Sequence, residues 1–184
     1  GQFALSLAGG SYESIATVSV GAGGQSSIEF TSIPSTYKHL QIRAIARSNR
    51  SDTNDVAWLT INSDSGSNYA IHFLAGNGSS ASAYGASSQS PSSGQYIIQI
   101  GGNSAGSNMF SAGVIDILDY GSTSKTKTIR ALSGFDDNSG TNNSRIYFVS
   151  NLWNSTSAIT SLKFNAIGTN FMQYSSFALY GIKD

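Results

Sequence analysis

The sequence predicts an all-β protein: an antiparallel two-sheet β-sandwich, jelly-roll-like, of about ten strands. Short apolar runs recur about every 10 to 15 residues, separated by Ser/Gly/Asn clusters such as "GAGGQSS", "NSDSGSN" and "DDNSGTNNS". Within several runs apolar and polar residues alternate, the period of a strand covering a core. Helical periodicity is missing almost everywhere, because no window of about eleven residues holds apolar positions at i, i+3, i+4 and i+7.

The elements follow in chain order. Residues 1–10, "GQFALSLAGG", place Phe3, Leu5 and Leu7 on one side of an extended segment that ends in Gly9-Gly10. That segment is either a first strand or an arm that leaves the domain and pairs with another subunit. Residues 11–184 form a single β-sandwich domain. A strand is expected over 12–20, and Ile28 and Phe30 straddle Glu29 in a second. Pro34 then restricts Ile33 to extended geometry and supplies no donor, which suits a corner between two strands. In the next run Leu40, Ile42, Ala44 and Ala46 alternate with Gln41, Arg43, Ile45 and Arg47, an apolar face backed by a mostly polar one. Further strands are expected over 55–62, 69–75, 95–101, 109–119, 126–133, 145–152, 158–166 and 175–183. The stretch 76–94 is small and polar, and reads as a long surface loop. "YIIQI", "RIYFV" and "FALYGI" break strict alternation, which predicts burial on both faces or placement at a subunit contact.

Composition narrows function. The 184 residues can bury roughly 70% of the unfolded surface, enough for a core without staples. Charged residues make up 11%, against about 25% in an average domain. Ten basic side chains balance ten acidic ones. Net charge zero argues against a nucleic-acid partner, which needs a basic surface. It also removes electrostatic protection from association. Without cysteine there are no disulfides, thiolate metal sites or cysteine nucleophiles. No run approaches the ~18 apolar residues of a membrane span.

Chemistry is sparse. His39 and His72 are the two near-neutral proton carriers, each read as structural or surface, and no G-x-S-x-G elbow accompanies them. Carboxylates cluster at Asp52 and Asp55, Asp116 and Asp119, and Asp136 and Asp137. A glycosidase needs two such groups across an aromatic-lined cleft, but Trp58 and Trp153 lie in or beside apolar runs and read as core. Asp116, within "VIDILDY", is the acid its neighbours should bury, with Arg130 or Arg43 as cross-strand partner. The Asp136 loop lacks EF-hand spacing, and "GAGG" lacks the Lys-Ser/Thr of a phosphate cradle. The chain is therefore expected to be no enzyme and to hold no cofactor or metal.

Three stretches resemble a family of small structural proteins in the virions of tailed, mainly aquatic, bacteriophages. The opening "SYESIATVSVGAGGQSSIEFTSIPSTYKHLQIRAIARS" carries Ile28, Phe30, Ile33, Pro34, Thr36 and Tyr37, then Ala46-Arg47-Ser48. "FLAGNGSSASAYG" (73–85) is similar to the family's Gly-Asn-Gly-Ser loop. The closing segment has Leu152-Trp153 before Ala158-Ile159-Thr160-Ser161, and then Tyr180-Gly181-Ile182-Lys183. The resemblance covers most of the chain from Ser11 onward; residues 1–10 depart from it. It implies a structural part of the virion, for which the leading expectation is a jelly-roll-like capsid decoration (cement) protein on the capsid exterior, a homo-oligomer, commonly a trimer, that bridges subunits of the major capsid protein. Its alternative is a tail-fibre or spike module that contacts a host glycan. The sequence holds no collagen-like or coiled-coil shaft, which favours the decoration protein. The Phe3/Leu5/Leu7 arm is the segment expected to contact the partner.

Overall fold

The computed structural model describes residues 10–94, 96–138 and 143–183; Phe3, Leu5 and Leu7 therefore lie outside the described residues. Among those described, the chain forms β1 (Tyr12–Ser19), β2 (Ile28–Phe30), β3 (His39–Ala46), β4 (Asn54–Ile61), β5 (Tyr69–Gly76) and β6 (Ala81–Gln89). One turn of helix, α1 (Pro91–Gly94), precedes β7 (Tyr96–Gly101), β8 (Ser111–Ile117), β9 (Lys127–Phe135), β10 (Arg145–Trp153), β11 (Leu162–Ala166) and β12 (Ser176–Ile182). A large sheet runs β1-β12-β3-β8-β9-β10-β5-β6, and a small one runs β2-β11-β4-β7. All pairings between these strands are antiparallel. The architecture is an open two-sheet sandwich, compatible with jelly-roll-like proteins.

Period-two patterning builds the core. β9 alternates buried and outward residues along its length, and β4, β8, β10 and β12 keep the same rhythm. Leu59 and Phe164 of the small sheet, and Ile42, Ile129, Val149 and Phe177 of the large one, are fully buried. Phe177 ties the layers together, its ring 5.2 Å from Phe164 and 5.3 Å from Phe171, within the range of favourable aromatic pairs. "YIIQI" is buried on both faces, as β7 lies at the edge of the small sheet against β8, β9 and β10. Its edge backbone groups are met by the large sheet: Gln99 N–H donates to Ser133 Oγ at 2.9 Å, and Asn151 Nδ2 donates to Tyr96 O at 3.0 Å.

"SIPSTY" is a corner in the full sense, since β2 belongs to the small sheet and β3 to the large one. Tyr120 Oη donates to Pro34 O and pins the bend. Tyr37 lays its ring on Gly181, where a Cβ would come 2.2 Å from the ring carbons. Only glycine admits that approach.

Two expectations need correction. The stretch 76–94 is not a long loop: it contains β6, paired with β5 from Gly76↔Ala81 through Ile71↔Ala86 and on to Tyr69↔Gln89. The reversal is made locally. Asn77 Oδ1 accepts from Ser79 N–H at 3.0 Å and Ser80 N–H at 2.8 Å, and Gly78 takes φ +88°. Small side chains hide a strand whose backbone pairing needs no apolar face. The expected strand 158–166 begins only at Leu162, because Thr160 and Ser161 N–H turn to Asn62 Oδ1 and Ile159 N–H to Tyr120 O.

Candidate functional site

The two candidate proton carriers lie far apart, and one stands beside a candidate acid, His39 Nδ1 being 3.9 Å from Asp119 Oδ1. His39 on β3 and His72 on β5 are separated by β8, β9 and β10 in the large sheet. His39 Nδ1 accepts the Asp119 N–H at 3.0 Å, so its lone pair is already used. Asp119 is held below the usual carboxylate range, first by a 2.6 Å hydrogen bond from Lys125 Nζ and further by Lys38. His72 is exposed and stands opposite Gly85 of β6. Asp136 and Asp137 are bound locally, both accepting from Ser144 Oγ at 3.2 Å. Among the described residues no group of three or more His, Asp or Glu is placed to hold a metal ion.

Among the described residues the buried acid is Asp55, not Asp116. Asp55 is fully buried and accepts from Ser48 Oγ at 2.6 Å, Val56 N–H at 2.8 Å and Gly168 N–H at 2.9 Å, with Arg50 Nη1 at 3.4 Å. These donors leave it no spare lone pair for catalysis. Asp116 lies half-buried on the outer face of the large sheet. Its partner is Gln41, whose Nε2 donates to Asp116 Oδ1 at 2.9 Å, and Gln41 Oε1 in turn accepts from Arg43 Nε at 3.1 Å. The expected arginine is thus reached through an amide, while Arg130 stands directly across on β9.

Among the described residues two cations are buried, and both serve the frame. Arg47, expected on an outward polar face, instead turns inward and donates to the carbonyls of Gly106 (2.6 Å), Met109 (3.2 Å), Asn103 (3.1 Å) and Ala105 (3.0 Å). It staples the loop between β7 and β8. Lys127 donates to Ser122, Lys125 and Thr156 carbonyls at 2.7, 2.8 and 3.2 Å. Burial pushes the pKa of each below its ordinary value. Trp58 is half-buried on β4, and Trp153 is core, its Nε1 donating to Asp64 Oδ2 at 2.8 Å.

What remains without a partner is a surface. Outward residues Arg43, Val114, Leu132, Phe148, Leu74 and Ala83 stand in register across β3, β8, β9, β10, β5 and β6. The neighbouring row holds Ile45, Ala112, Gly134 and Ile146. On the other side of the apolar row lie Gln41, Asp116, Arg130, Ser150 and His72. The apolar members range from 39% exposed (Val114) to 59% (Ile146). Ile45, Leu74, Val114, Leu132, Ile146 and Phe148 together expose on the order of 600 Å² of apolar surface, at the top of the range for a monomer's largest patch. A shallow groove floored by Ala112, Gly113 and Gly134 runs between Ile45 and Ile146, and a second lies among His72, Leu74, Ala83, Gly85 and Phe148. This arrangement offers no acid–base pair. It offers water-exposed apolar area whose covering is favourable.

"RIYFV" signals part of this face: Tyr147 and Val149 turn inward, while Ile146 and Phe148 stand outward. Val114, Leu132 and Leu74 give no signal individually, because a single apolar residue on the outer side of a strand is ordinary until register aligns several of them. Comparison of the chain with protein-family models, with curated proteins and with solved structures finds no match in any of the three.

Proposed function

We propose that this chain is a structural protein of a tailed-phage virion, a capsid decoration protein that stabilises the shell by bridging subunits of the major capsid protein. The observation that carries a non-enzymatic reading is the contiguous apolar outer face of the large sheet, on a chain whose buried acid Asp55 and buried cations Arg47 and Lys127 are consumed by frame contacts. The phage assignment rests on the sequence resemblance. Symmetric repetition on a shell multiplies a modest contact into a large stabilisation. Residues 1–10 supply the shell contact through Phe3, Leu5 and Leu7, and the chain sits on the capsid exterior as a homo-oligomer, the trimer being the form the resemblance implies. Deleting residues 1–10 is expected to release the protein from purified shells; unchanged occupancy removes the arm from this account. A map of the particle with this density away from the capsid overturns the decoration role.

One observation favours a second reading, a fibre or spike module that binds glycan. Tyr84 of β6 is exposed and stands across from Phe73 of β5, their rings 5.6 Å apart, on the opposite side of the sheet from His72 and Leu74. Stacking of sugar rings there predicts glycan-array binding that Tyr84→Ala abolishes.

A further inference from the structure

We propose that the outer face of the large sheet is covered by a second copy of this chain, related by a two-fold axis that runs along the strands between β8 and β9. The inference rests on reading that face as a protein-contact surface, and it names the partner.

Register carries it. Asp116 and Arg130 stand directly across from each other on β8 and β9, as do Val114 and Leu132, and Ala112 and Gly134. A two-fold axis parallel to the strands and midway between them exchanges the two strands and preserves every row. β8 of one copy then lies over β9 of its mate. Asp116 meets the mate's Arg130 and Arg130 meets the mate's Asp116, while Val114 and Leu132 meet each other twice. One self-complementary patch thus makes two reciprocal ion pairs flanked by apolar contacts, the property an isologous interface requires. Facing sheets pack about 10 Å apart, inclined by about 30°, so strands beside the axis keep their mates best. A long guanidinium opposite a short carboxylate spans that gap.

Other arrangements fit worse. An axis across the strands through the Val114 row would set Asp116 over Ala112 and Arg130 over Gly134, burying unpaired charges at a cost of several kcal/mol each. A three-fold contact is heterologous and provides no such reciprocity, so the register favours a two-fold at this face over the trimer that the resemblance implies. The area is sufficient. Two patches of about 600 Å² remove about 1,200 Å² from water, the lower bound of a specific interface. Net charge zero offers no long-range repulsion.

Sedimentation of the whole chain should give twice the monomer mass. Asp116→Arg and Arg130→Asp should each weaken self-association on the order of 100-fold, through like charges facing twice across the axis. An equimolar mixture of the two variants should recover a heterodimer. In it the introduced arginine of one chain faces the introduced aspartate of the other, and the unaltered Arg130 and Asp116 still pair. Circular dichroism checks that each variant stays folded. The mixture separates this contact from the pairing of the same residues within one chain. Leu132→Ser, which leaves the charges alone, should also weaken the dimer by at least about tenfold. A monomeric or trimeric native chain overturns the proposal, as does a dimer that none of the three substitutions affects. A monomer that still occupies phage shells would overturn the pairing and leave the decoration role standing; a dimer that ignores shells would do the reverse.

Discussion

The two faces of the large sheet carry apolar side chains on the same strands, at the same two-residue period, with opposite fates. Inward, Ile42, Ile115, Ile129, Val149 and Phe177 are fully buried beneath the small sheet and its loops. Outward, Ile45, Val114, Leu132 and Phe148 sit one residue away or a few, and remain about half exposed. The small sheet has four strands and the large one eight, so one layer covers one face, and nothing among the described residues covers the other. The inner face holds the fold together, whereas the outer face contributes little until something is laid on it. The outer faces of the two sheets also differ. β2 and β11 of the small sheet carry Glu29 and Lys163, paired at 2.8 Å, where the middle of the large sheet carries Leu132 and Phe148.

Breaking the inner side should give the largest effect. Phe177→Ala removes the ring that meets both Phe164 and Phe171, and should lower unfolding free energy by about 3–5 kcal/mol in urea titration. Lys127→Met tests whether an inward cation is structural. It strands three carbonyls that lose their donor and should cost about 2–3 kcal/mol; an unchanged midpoint would show that water replaces the ammonium.

Asp64 sharpens the comparison at the end of inner-face Trp153. Burial penalises its carboxylate, but donation by Trp153 Nε1, the Gly66 amide and Asn68 outweighs that and holds its pKa below the ordinary value. The folded-state pKa is depressed, so this contribution is fully present above the unfolded carboxyl value near 4 and is lost as pH falls through the folded one. Asp64→Ala should therefore cost about 1–2 kcal/mol at neutral pH, with the gap to the native chain narrowing on acidification. The smallest effect belongs outside. Phe148→Ser, measured at concentrations too low for self-association, should change stability by no more than about 0.5 kcal/mol. A loss of several kcal/mol there would mean that the chain itself covers this face.

Strands are legible wherever apolar residues meet the period-two rule, which is why β3, β8, β9 and β10 lie within a residue or two of their expected bounds. β6 is not, since "ASAYGASSQ" contains a single large side chain and owes its conformation to the backbone of β5 and the Asn77 turn. Polar residues are harder still. Val114, Ile115 and Ile117 flank Asp116 and suggest burial, yet parity turns it outward. Asp55, in the ordinary-looking "NDVAW", is sealed by Ser48 and by Gly168, the latter from a distant part of the chain. Arg47 continues the outward parity of Arg43 on paper but leaves the sheet at the end of β3 and folds back into the carbonyl cage. Only "RIYFV" hints at the candidate surface, and the Phe3/Leu5/Leu7 arm belongs to residues that are not described.

By itself the sequence determined the class of fold, the corner at Pro34 and the poverty of catalytic groups, because strand parity, proline stereochemistry and residue inventory are local properties that need no neighbours. Tertiary structure alone decided which polar groups are sealed, that a Ser/Gly/Ala stretch is a strand, and that isolated apolar residues from separate strands align into one face. Strand order and register are long-range quantities: adjacent strands bring together residues far apart in the chain, and no local pattern encodes which row a side chain will join.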